Sequence, residues 1–193
     1  RRRTAEENMR KELSKTDMQI ISTLKRQLGA AEKEIWDTEA QDTSSFNSIQ
    51  WETYDATLTG ARKRIREFKA DLKRRGQTAW VQKWGQKEQH DKRYKEWRIS
   101  FLKDKLSKAE REIFDAESAN SSFSEEKKDA VLTGARKRIR EFKADLKRRG
   151  QTAWVDEWEK ETNKQARKKE WRISFLKDKV MEEEKKIITK EFN

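Results

Sequence analysis

Leu58 to Val81 reads LTGARKRIREFKADLKRRGQTAWV, and Leu132 to Val155 reads the same, letter for letter, 74 positions later. A second match keeps the same offset: KEWRISFLKDK occupies 95–105 and again 169–179. An internal period of this kind outranks any local motif as a guide to fold. Within the repeat, Trp51, Tyr54, Leu58, Ala61, Ile65, Phe68 and Leu72 follow alternating steps of three and four. That is a helical seam, here named helix B. It runs into Lys73, Arg74, Arg75 and Gly76. Cations suit the negative end of a helix, and glycine suits the left-handed residue just beyond it. Gly60 lies inside the seam, where an interior glycine costs about 1 kcal/mol against alanine; the expectation is a close neighbouring helix.

Working outward, Met18, Ile21, Leu24, Leu28, Ala31 and Ile35 form an earlier seam, helix A. DTSSFNS at 42–48 ends it with turn and cap residues, and Asn47 with Gln50 is a capping-box pair. After Gly76, Thr78 is placed to cap a third helix, C, with no further breaker after Gly85 until about Ala119. That predicts one helix of roughly 60 Å at 1.5 Å per residue. Its stripe of Trp80, Trp84, Tyr94, Trp97 and Phe101 gives way to Leu102, Leu106, Ala109 and Ile113. The second set matches Leu24, Leu28, Ala31 and Ile35 at an offset of 78. Helix C of one repeat is therefore expected to continue as helix A of the next. Ser122 and Glu125 mark a second capped turn before the second B. The chain closes with Leu176, Val180 and Ile187, an unmatched A that leads one to expect further repeats in a longer parent chain.

The order A–B–C/A–B–C/A resembles, in topology alone, spectrin-like arrays of three-helix bundles. The expected fold is all-α: tandem spectrin-like three-helix bundles with a long helix shared between consecutive repeats. Residues 1–15 are expected to be a frayed lead-in, 16–98 the first repeat, and 99–193 the second with a partial further helix A. Ile65, Phe68, Leu72, Trp80 and Trp97, and in the second copy Ile139, Phe142, Leu146, Trp154 and Trp171, are the expected core. Phe68→Ala should then cost roughly 3–5 kcal/mol.

Composition agrees with slender helices. There is no Pro, the charged fraction is 44% and the apolar fraction 32%. This suits narrow seams better than one thick core. There is no Cys and one His, His90, read as an exposed helix residue. No catalytic residue, metal site, cofactor or small-molecule substrate is expected, because neither a metal-ligand spacing nor a phosphate-binding glycine loop occurs. No apolar run reaches the roughly 20 residues of a membrane span. With no signal region at its start, the chain is expected to be intracellular.

From Leu58 to Gly76 eight bases face two acids, and the second copy repeats the imbalance, so the two B segments account for the whole net charge of +12. The bland reading is a solvated face. Against it, Arg62, Arg66, Lys69 and Lys73 follow steps of four, three and four and share one side. Such a stripe repels itself and favours an acidic partner. The candidate contact residues are Arg62, Lys63, Arg66, Lys69, Lys73 and Arg74, with Arg136, Lys137, Arg140, Lys143, Lys147 and Arg148 as counterparts. The favoured expectation is a scaffold docking on an acidic, polymeric or multi-subunit protein surface. A nucleic-acid architectural protein using the same stripes on phosphates is the alternative. Peripheral membrane binding ranks third. The tryptophans could stack on bases, but their seam spacing favours packing.

Overall fold

The structure is a computed structural model that describes residues 2–118 and 124–191, with side chains over 14–118 and 124–186. The helices are α1 (Arg2–Glu39), α2 (Ser48–Arg74), α3 (Thr78–Trp84), α4 (Lys87–Glu117), α5 (Glu125–Arg148), α6 (Thr152–Glu159) and α7 (Glu161–Glu191). Among the described residues there is no strand, and the fold is all-α. The chain divides into two compact units, Arg1–Tyr94 and Lys95–Asn193, and the division falls inside α4.

The ends of helix B form as local chemistry dictates. Asn47 accepts from the Gln50 N–H at 2.9 Å, and the Gln50 side chain accepts from the Asn47 N–H at 2.9 Å, closing the capping box of α2. At the other end Gly76 has φ +76°; the Gln77 N–H reaches the Leu72 carbonyl and the Gly76 N–H the Lys73 carbonyl. This Schellman arrangement recurs at Gly150, φ +78°, with Gln151 bonded to Leu146. Ser124 is the N-cap residue of α5, without a side-chain cap bond. The expected box partner Ser122 lies outside the described residues.

In the first unit, Leu24 and Leu28 of α1 meet Leu72 of α2 and Val81 of α3, flanked by half-buried Ile65, Phe68, Trp80 and Trp84. In the second, Leu102 and Leu106 of α4 meet Leu146 of α5 and Val155 of α6, flanked by Ile139, Phe142, Trp154 and Trp158. Each fully buried leucine contributes about 1.5–3 kcal/mol. Of the expected core residues, Leu72, Trp97 and Leu146 are buried, while the others, Trp171 included, are half-buried. Trp97 lies on the second unit's side of the division. The partial exposure of Phe68 moves the expected cost of Phe68→Ala to about 3 kcal/mol, the lower end of the range.

Four local expectations are corrected. The third helix is not continuous from Thr78: it stops at Trp84 and restarts at Lys87. The second copy breaks at the matching place without a glycine, at Lys160 with φ −57° and ψ 135°. The break therefore belongs to the repeat rather than to Gly85. Beyond it, α4 is unbroken from Trp97 through Ala109. Gly60 meets no neighbouring helix; the nearest atom to an added Cβ is the guanidinium of its own Arg64, at 3.4 Å. Trp51 and Tyr54 do not extend the core. Trp51 is exposed and packs edge-on to Phe46 and Tyr54, a surface aromatic cluster. Thr78 makes no cap; Gln77 holds the N-cap position of α3 without a side-chain bond.

Candidate functional site

The basic stripe spans about 60° of helix circumference at 100° per residue, and the structure divides it lengthwise. Arg62 and Lys69 face a cleft between α1, α2 and α4; Arg66 and Lys73 stand exposed on its outer side. Arg62 reaches Glu39 of α1 at 3.5 Å, and Arg136 reaches Glu117 of α4 at 3.5 Å. Lys69 is half-buried with its amine 4.7 Å from the Trp84 ring centre; Lys143 lies 5.2 Å from Trp158 and 2.6 Å from Glu159. Lys63 sits loosely by Glu67 at 3.9 Å, Lys147 by Asp156 at 3.3 Å and Arg148 by Asp145 at 3.5 Å, and Arg74 pairs with Asp71. Arg66, Lys73, Lys137 and Arg140 are exposed and have no ion pair among the described residues. Eight of helix B's twelve candidate contacts thus engage other side chains of the same chain, and one arginine of the stripe, Arg66 or Arg140, is uncovered in each copy.

The cleft recurs. In the first unit it holds about 680 Å³ and four bases against two acids. In the second it holds about 450 Å³ and five bases against three acids. Two net positive charges therefore line each. Their floors are equivalent, with Ile65 and Trp84 in one and Ile139 and Trp158 in the other.

Each cleft is also lined by a triad outside the stripe, a buried glutamate with a half-buried arginine and tryptophan. Arg93 donates from Nε and Nη2 to the two carboxylate oxygens of Glu32, at 2.7 and 2.9 Å, and lies 4.1 Å from the Trp84 ring centre. Arg167 repeats this on Glu110 at 2.7 and 3.0 Å, again 4.1 Å from Trp158. Glu32 and Glu110 are only 6% and 9% exposed. A planar guanidinium both matches a carboxylate fork and stacks on an indole. In an unbroken helix, residues nine apart would point to opposite sides, about 13.5 Å apart along the axis. The break after Trp84 is what brings Trp84 and Arg93 together. A signal for this pair stands in the repeat itself: from 82 to 94 the two copies agree only at Trp84/Trp158 and Arg93/Arg167.

Burial of Lys69 holds its amine below the ordinary value of 10.5; the nearby Glu32 charge opposes that shift. Further charge pairs tie helix A to helix B in both copies, Glu34 with Arg64 and Glu112 with Arg138. Among the described residues no group of three His, Cys, Asp or Glu side chains could hold a metal ion, and no helix is long and apolar enough to cross a membrane. His90 is exposed and meets Trp36 edge-on at 5.7 Å. In comparison with known proteins, the chain matches no family model, no curated protein and no solved structure.

Proposed function

We propose that the chain is a non-enzymatic helical-repeat scaffold, built as tandem three-helix repeats in the spectrin-like order, that docks an acidic and repetitive protein surface once per repeat. One observation carries this reading: each unit leaves an uncovered arginine, Arg66 or Arg140, beside a cleft with two net positive charges. A charge run serving solubility alone has no need to recur at matched positions around matched clefts. The docking residues are the outer bases Arg66 and Lys73, with Arg140, Lys137 and Lys147 in the second copy. Arg62, Arg136, Lys69 and Lys143 contribute charge from inside the cleft while holding the repeat together. Two sites on one chain raise avidity when the partner also repeats.

The test is a pull-down from native lysate with Arg66→Glu and Lys73→Glu, with Arg140→Glu and Lys147→Glu, and with all four. Helicity by circular dichroism should stay unchanged, because these side chains are exposed. Reversal in one copy should weaken capture, and reversal in both should weaken it at least about tenfold further. Capture should fall as salt rises, with screening at about 10 Å in 0.1 M salt. Full capture by the quadruple variant would refute the reading. Loss of capture after nuclease treatment, with tight binding of random-sequence DNA or RNA, would replace it with phosphate binding by the same bases.

A further inference from the structure

Helix α7 carries a face whose complement appears twice elsewhere in the chain. Leu24 and Leu28 of α1 are 9% and 0% exposed, covered by Leu72 of α2 and Val81 of α3. Leu102 and Leu106 of α4 are 1% and 0% exposed, covered by Leu146 of α5 and Val155 of α6. The third set at the same spacing is Leu176 and Val180 of α7, and these are 54% and 58% exposed. Ile173 and Met181 beside them are 44% and 54% exposed.

The polar positions of the face are in register too. Lys25 lies over Trp80 at 4.7 Å and Lys103 over Trp154 at 4.4 Å; the matching residue of α7 is Lys177. Glu32 and Glu110 each take the half-buried arginine of a following helix C; the matching residue is Glu184. Lys177 and Glu184 are exposed and have no ion pair among the described residues. Lys177, Leu176, Val180 and Glu184 thus repeat, uncovered, the set that elsewhere receives a B helix and a C helix.

We propose that this face of α7 is a docking surface for a helix B–helix C pair of this chain's own repeat type, supplied by another repeat. The leucine of the incoming helix B and the valine of the incoming helix C would cover Leu176 and Val180. The incoming tryptophan would meet Lys177, and the incoming arginine would meet Glu184. Both B–C pairs within the chain already cover their own A helices, so the occupant is an additional pair. This inference stands independently of the acidic-partner reading.

The probe is a peptide of residues 48–94, which contains Leu72, Trp80, Val81, Trp84 and Arg93. It is titrated into the full chain while the methyl signals of Leu176 and Val180 are followed by NMR. Saturable one-to-one binding that shifts those two methyls is expected. Leu176→Asp should weaken it at least about tenfold, the equivalent of 1.4 kcal/mol. Glu184→Arg should weaken it as well, and a peptide carrying Arg93→Glu should recover part of that loss. An isolated peptide must order itself on binding, which lowers its affinity. A second chain therefore carries a further copy of residues 118–167 after residue 191, where effective concentration is in the millimolar range. In that chain Leu176 and Val180 should become protected. Exposed methyls in the extended chain, or peptide binding indifferent to Leu176→Asp, would overturn the proposal. So would dimerisation of the unextended chain that Leu176→Asp abolishes, since the occupant would then be the same face of a second copy.

Discussion

The Glu32–Arg93–Trp84 triad joins three helices through one guanidinium. Its carboxylate is buried, so removing either charged partner leaves the other desolvated and unmatched. Glu32→Ala, and separately Glu110→Ala, should cost about 2–4 kcal/mol in urea unfolding, tempered by the partial exposure of the arginines. Arg93→Lys should rescue little, because an ammonium has neither the fork nor the flat face. Lys69 shows what a missing acid does at the same site. Its second-copy counterpart has Glu159 at 2.6 Å, whereas the first copy has Gly85 there. Because burial lowers the folded-state pKa of Lys69 below 10.5, the folded chain binds that proton less tightly than the unfolded chain. The cost is present while both forms are charged and is relieved as pH rises from the folded value toward 10.5. Lys69→Met should remove that alkaline gain. Gly85→Glu should raise the Lys69 pKa in an NMR titration, and the site has room, since an added Cβ meets nothing closer than 3.5 Å.

At the scale of the element, two glycines of one helix have opposite uses. Gly76 holds a left-handed turn, so Gly76→Ala should cost about 1–2 kcal/mol. Gly60 touches only the flexible end of Arg64, so Gly60→Ala should gain about 0.5–1 kcal/mol from helix propensity. Thermal melts at 222 nm separate the two by sign. The features legible in the sequence were those that short stretches decide: the period of helix B, its capping box and its glycine stop. The break after Trp84 was not legible by that route. It depends on Arg93 meeting both Trp84 and a glutamate some 60 positions earlier, and no window of local propensity contains all three. Trp51 shows the complementary failure. Period assigns a residue to a side of a helix, but not whether a neighbouring helix extends far enough to cover it. In the candidate site the stripe was legible as charge. Its division into inner bases that meet helix A or the start of helix C and outer bases that stay uncovered required the fold.

Across the whole molecule, the net charge of +12 coexists with acid–base pairs that recur in both units. Exposed pairs of this kind contribute about 0–1 kcal/mol each, while excess positive charge repels itself. Raising salt from about 0.05 to 0.5 M should therefore raise the melting temperature even as it weakens partner capture, because screening relieves that repulsion. Opposite trends in calorimetry and pull-down, on the same samples, would separate stability from docking. The position of the division between units has a further consequence, for enzymes that cut the chain. Proteases need an extended stretch of backbone, and exposed connections supply it. Here the division lies at Tyr94–Lys95, within the continuous helix α4, whereas Phe46 sits in the connection between α1 and α2. Brief chymotrypsin treatment should therefore nick the chain after Phe46 and spare Tyr94, although the Tyr94 side chain is 41% exposed. Intact-mass spectrometry would find fragments that begin inside a repeat, and digestion would not release the two repeats as separate pieces.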